Sequence, residues 1–217
     1  MQRHEPNMES NNWAPIPSAP PSYNTQNNNI NIISQSILLD NFFDEFEICK
    51  DYLEKVTILS DFDIVFLVDD SGSMKTPIQI NNKLITRWSL LQNMINISIR
   101  LSSIINRNGI DLFFLNRAGR NDVHNYNYVK DLFVDEPYGR TPLTKMLKFI
   151  FNNYKNNSKP TLIIILTDGM PTNDLGYTDI KNFKDIIKSR DFDKFYMTFI
   201  SCSDQKKDYS YLEKIKN

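Results

Sequence analysis

The chain has 217 residues, 41% of them hydrophobic, with a formal net charge of −1. That is enough apolar material for one substantial core, and the near-neutral balance excludes the basic field that nucleic acid or an anionic membrane would require. The N-terminus lacks the apolar stretch of a signal peptide and no apolar run is long enough to cross a bilayer, so a cytoplasmic protein with no membrane span is expected. Cys49 and Cys202 follow no metal-ligand spacing and are expected to be reduced core residues.

Residues 1–35 are dominated by Asn, Pro, Ser and Gln and are expected to form a disordered tail. Within it, Pro17, Ser18, Ala19 and Pro20 spell a form bound by ubiquitin-E2-variant domains, and Pro20, Pro21, Ser22 and Tyr23 spell the Pro-Pro-x-Tyr form bound by WW domains. Both are extended ligands that lose little entropy on docking. A proline-rich linker in which such tetrapeptides arise by chance is the other reading of this stretch.

Residues 36–217 are expected to form the folded domain. Its first part, 36–56, carries Leu38, Phe42, Phe43, Phe46 and Leu53 in a loosely helical pattern. Residues 64–68, Ile-Val-Phe-Leu-Val, read as a strand buried on both faces of a parallel sheet, and they stop at the carboxylates Asp69 and Asp70. A loop at 75–82 and a helix at about 83–106, apolar on most sides with Trp88 in the core, should follow. After a turn at Asn108-Gly109 comes a strand at 110–115. The polar loop 116–127 holds His124, which has no Cys or second His nearby and reads as a lone exposed imidazole. Residues 128–134 are predicted to form a short edge strand.

Gly139-Arg140-Thr141-Pro142-Leu143 opens a helix over 142–154, with Thr141 as N-cap and Pro142 at the first helical position. Its apolar residues Leu143, Met146, Leu147, Ile150, Phe151 and Tyr154 fall on one helical face. Residues 161–166 form another buried strand, ending in Thr167-Asp168-Gly169. A helix at 178–189, a strand at 195–202 and a short helix from about Tyr209 complete the pattern. This alternation predicts an α/β fold with a doubly wound, mostly parallel sheet flanked by helices, whose ligands bind where strand order reverses.

The chemistry gathers at three loops. Asp69-x-Ser71-x-Ser73 sets one carboxylate and two hydroxyls at alternating positions of a turn, which can direct hard oxygens at one point and suits Mg²⁺ or Mn²⁺. Gly72, Gly139 and Gly169 supply the freedom that tight turns are expected to need there. With Thr141 and Asp168 added, the pattern resembles the metal-ion-dependent adhesion site of von Willebrand factor type A domains. Over about residues 36–211 the chain looks closest to that family's intracellular, copine-like branch.

The resemblance implies that Ser71 and Ser73 coordinate the metal directly and that Asp69, Thr141 and Asp168 contact it directly or through water. It also implies that an Asp or Glu of a partner protein completes the shell, so that the module binds and does not catalyse. Such sheets normally continue with one more edge strand and a terminal helix, neither visible here. The strand at 195–202 is therefore expected to be exposed or paired with another chain.

Two other readings compete. One is an adaptor that acts through its tail and carries a vestigial metal site. The other is a Mg²⁺-dependent phosphatase, but Asp61-Phe62-Asp63 precedes its strand, and Ser71 stands where that chemistry needs a second carboxylate. A serine hydrolase lacks both an evident His partner and a Gly-x-Ser-x-Gly turn.

Because the tail motifs share Pro20, a WW domain and a ubiquitin-E2-variant domain are expected to compete for a peptide spanning residues 13–27. Tyr23→Ala should abolish only the first interaction and Ser18→Ala mainly the second; simultaneous binding in a fluorescence titration contradicts this.

Overall fold

The computed structural model describes residues 28–106 and 109–213. Pro17, Ser18, Ala19, Pro20, Pro21 and Tyr23 of the tail motif, and Asn108 of the expected turn, lie outside the described residues. Helices α1 (Asn28–Glu45) and α2 (Leu53–Thr57) precede strand β1 (Asp63–Val68). A hairpin of β2 (Pro77–Ile80) and β3 (Lys83–Thr86) leads into helix α3 (Arg87–Ile105), followed by β4 (Ile110–Phe114) and β5 (Arg120–Val123). Then come α4 (Leu143–Tyr154), β6 (Thr161–Thr167), α5 (Ile180–Lys188), β7 (Phe195–Ser201) and α6 (Lys206–Glu213).

The five-stranded sheet has the order β5-β4-β1-β6-β7, parallel throughout except for β5. This is the doubly wound α/β architecture, and its order reverses between β1 and β6. Strand alternation sends Phe66 and Val68 to one face, against Leu91, Ile95 and Ile99 of α3, and Val65 and Leu67 to the other, against α4 and Phe183 of α5. Each such side chain, taken wholly out of water, contributes about 1.5–3 kcal/mol. β1 is therefore the spine of the fold. A smaller cluster, Leu39, Phe42 and Phe43 against Ile105, fixes α1 to the end of α3.

The structure departs from expectation in several places. The α1 backbone is already helical at Asn28, inside the segment expected to be disordered, and Gln35 Nε2 donates to Ile104 O at 3.0 Å to tie it to α3. The stretch 77–86 is a hairpin, not a loop and helix start, because Asn81 and Asn82 adopt φ of 49° and 62°, the left-handed pair that a tight hairpin turn demands. Thr86 caps the shortened α3, accepting from Ser89 N–H at 3.0 Å. The edge strand is Arg120–Val123, and 126–133 forms 3-10 turns. Those turns bury Val129 and Phe133 beneath Trp88 and Phe114.

At the chain's end, α6 starts at Lys206, earlier than expected, and buries Tyr211 among the residues that pack on α5. His124 is half-buried, and Cys49 is exposed because Glu47, at φ 52°, turns the chain so that Ile48 faces the α1 cluster and Cys49 faces solvent. Among the described residues, no helix is long and apolar enough to cross a membrane.

Cys202 is 1% exposed, and burial, aided by the charges of Asp69 and Asp168, pushes its thiol up to about 12. N-ethylmaleimide is therefore expected to modify Cys49 in the folded protein and Cys202 only after unfolding, as read by peptide mass mapping.

Candidate metal site

β1 and β6 run side by side with Val68 opposite Leu166, and Asp69 N–H donates to Leu166 O at 2.9 Å. The residues that follow these strands, Asp69 and Asp168, are thus neighbours at the point where strand order reverses, and both side chains are buried. Asp69 is held by neutral donors: Ser71 N–H to Oδ1 at 2.9 Å and the Thr167 hydroxyl to Oδ2 at 2.5 Å. The Ser71 and Ser73 hydroxyls are 3.0 Å apart, and Ser73 Oγ donates to Asp168 Oδ1 at 2.8 Å. Hydrogen bonds thereby join Asp69, Ser71, Ser73 and Asp168 into one constellation.

Thr141 arrives on a loop fastened to both of the others. Gly72 N–H donates to Gly139 O at 3.2 Å, Thr141 N–H to Thr172 Oγ1 at 3.0 Å, and Thr172 N–H to Thr141 O at 2.8 Å. Thr141 is not the helix cap, because Pro142 takes that position with a non-helical ψ of 54° and α4 begins at Leu143. The consequence is chemical: the Thr141 hydroxyl, in a residue 6% exposed, has no hydrogen-bond partner among the described residues. Of the three loop glycines, Gly139 alone is required by its turn. It has φ 90°, and a Cβ there would meet Asn116 Oδ1 at 2.4 Å, whereas Gly72 and Gly169 have room.

Charge is distributed unevenly over this end of the sheet. Asp70 receives Arg117 Nε at 2.7 Å and Asn116 N–H at 2.8 Å. Asp168 receives Arg87 Nη1 on Oδ2 at 2.7 Å, and Arg87 Nη2 reaches Asp208 of α6 at 3.1 Å and Ser203 Oγ at 2.8 Å. Tyr211 of α6 donates to Gly169 O at 3.1 Å, so the last helix is fastened to the site twice. Asp69 has no cation among the described residues. Burial, and then the charge of Asp168, pushes its carboxyl from the ordinary 3.8 up to about 7 against the hydrogen bonds that favour ionisation.

Neither arginine is legible as part of the site. Arg87 opens a helix, and Arg117 stands in a polar loop far from Asp70 in sequence. The available signal was the demand itself, since consecutive carboxylates after a buried strand need partners. Among the described residues no three His, Cys, Asp or Glu side chains gather as a metal cluster. The donors here are instead two carboxylates with hydroxyls, an all-oxygen set that fits Mg²⁺ or Mn²⁺ and not a softer metal.

A scan against protein-family models finds no match for the chain, and a search of curated proteins finds none.

Replacing Arg87 by Met strips Asp168 of its cation inside the protein. It is expected to lower folding stability by about 3–5 kcal/mol in urea unfolding; a loss below about 1 kcal/mol contradicts a structural ion pair.

Proposed function

We propose that this chain is a metal-ion-dependent protein-binding module of the von Willebrand factor type A kind. Asp69, Ser71, Ser73, Thr141 and Asp168 hold Mg²⁺ or Mn²⁺, and an Asp or Glu of a partner protein joins the shell. The observation that carries this reading is Asp69: a fully buried carboxylate with no cation among the described residues, next to the hydroxyls of Ser71 and Ser73.

Each residue has a part that follows from its contacts. Thr167 and Ser71 N–H orient Asp69. Arg87 keeps Asp168 Oδ2, leaving Oδ1, now on Ser73, as the oxygen facing the site. The free Thr141 hydroxyl is available to respond when a ligand engages. When bound, the cation supplies positive charge that hydroxyl ligands leave incompletely neutralised, and this attracts an incoming carboxylate.

The flanking loops favour a protein as that ligand. Tyr138, Met170, Leu175 and Tyr177 are exposed by 55%, 44%, 73% and 69%, and the loop bearing Leu175 is latched to the Thr141 loop by Arg140, whose guanidinium donates to Asp174 O. Apolar side chains around a charged centre suit a protein surface better than a free small anion. An exposed free thiol at Cys49 suits a reducing cytoplasm. In this reading the tail motif adds a separate attachment for WW or ubiquitin-E2-variant domains.

Calorimetry and thermal melts with Mg²⁺ or Mn²⁺ test the proposal. Wild type is expected to gain about 2.7 kcal/mol when metal reaches about 100 times its Kd. Asp69→Ala should lose this gain, and Thr141→Ala should keep some metal binding while losing partner capture in pull-downs with and without EDTA. The pH dependence has a definite sign. With its folded value raised from 3.8 to about 7, Asp69 contributes stability to the metal-free fold that is full below about 4 and lost as pH rises through about 7. Metal must displace that proton, so apparent affinity should weaken up to about tenfold per unit as pH falls below 7. A wild type with neither heat nor melting shift leaves the site vestigial.

A further inference from the structure

The two edges of the sheet are built differently. β5 is short and charged, with Asp122 at φ 52° and a register shift against β4, the features that keep an edge from recruiting another strand. β7, Phe-Tyr-Met-Thr-Phe-Ile-Ser, has no charge, no proline and an unbroken register with β6 from Phe195 to Ser201. Among the described residues β6 is its only strand partner.

The outward hydrogen-bonding groups of β7 alternate along the strand. Cys202 N–H donates to Thr167 O at 2.9 Å and Lys194 O accepts from Thr161 N–H at 2.8 Å, so even-numbered residues face β6 and odd-numbered ones face outward. Phe195 is already engaged outward, its N–H on Asp191 O at 2.9 Å and its carbonyl on Arg190 Nε at 3.0 Å. The peptide groups of Met197 and Phe199 have no such partner among the described residues. Around them Tyr196 is 44% exposed, Met197, Phe199 and Ile200 are half-buried, and Thr198 is exposed.

We propose that β7 is the interface of a symmetric dimer, in which the β7 strands of two copies of this chain pair antiparallel about Thr198 and make one continuous sheet. The strand is complementary to itself in this register. Met197 meets Phe199 of the second copy, with both sets of outward peptide groups bonded, and Tyr196 meets Ile200, so half-exposed apolar side chains face apolar side chains on both faces. Centring on Met197 would set the free peptide groups of Phe199 against those of Phe195, which are taken, whereas in the Thr198 register only Ser201 meets Phe195. Centring on Phe199 would set Ile200 against Thr198 and Met197 against Ser201. A partner of opposite charge has nothing to recognise on this strand, which favours a second copy.

Sedimentation velocity of the full chain over a concentration series tests this. Wild type is expected to sediment as a dimer, and Thr198→Lys and Thr198→Glu each as folded monomers with the wild-type far-UV circular dichroism spectrum, because position 198 is exposed in the monomer and faces its own copy in the dimer. An equimolar mixture of the two variants is expected to restore the dimer, since Lys then faces Glu. A monomeric wild type, a dimer that persists in both variants, or a mixture that stays monomeric would overturn the proposal.

Discussion

Buried negative charge is the constraint on which this structure turns. Asp69 and Asp70 leave the end of β1 side by side, both 0% exposed, and Asp168 joins them from β6 at 1%. A carboxylate inside a protein is tolerable only when paired and hydrogen-bonded. Much of the architecture above the sheet is the means of pairing. Arg117 answers Asp70, and its remaining N–H groups bind the carbonyls of Leu132, Asp135 and Glu136, folding that segment over the site. Arg87 answers Asp168, and by reaching Asp208 it draws α6 against the same spot.

That leaves Asp69. Two unit charges about 4 Å apart at an effective dielectric of about 20 repel by about 4 kcal/mol, comparable with the net stability of about 5–15 kcal/mol of a typical domain. With nothing between them, Asp69 and Asp168 would be two such like charges. The structure instead gives one of the pair a buried arginine and leaves the other short of a cation. This explains how the domain can hold its fold with both carboxyls inside it: Asp168 is neutralised by Arg87, and Asp69, pushed up to about 7, can hold a proton. Among the described residues, Asp69 is the one of the three carboxyls without an arginine, and it lies beside the serine hydroxyls.

How much was legible depends on the range of the interactions. β1, β6 and α4 were readable because burial writes itself locally, as a run of β-branched residues or a helical period. The grouping of Asp69, Ser71, Ser73 and Asp168 was readable because parallel neighbouring strands carry their ends to one place. The edge strand was misread because its position rests on a distant contact: a Cβ on Gly119 would lie 2.0 Å from Leu112 O, so the backbone there passes hard against β4. Thr141 was misassigned as a cap because Pro142 keeps a non-helical ψ, and that error concealed a hydroxyl with no partner among the described residues. Arg87 lies 81 residues from Asp168, and no local pattern could join them.

The most direct measurement is anomalous diffraction from crystals grown with Mn²⁺. A single anomalous peak is expected, bounded by Ser71 Oγ, Ser73 Oγ and the carboxylates of Asp69 and Asp168, with Arg87 still on Asp168 Oδ2. A crystal saturated with Mn²⁺ that has no peak there, and in which Ser73 Oγ still donates to Asp168 Oδ1, would contradict it.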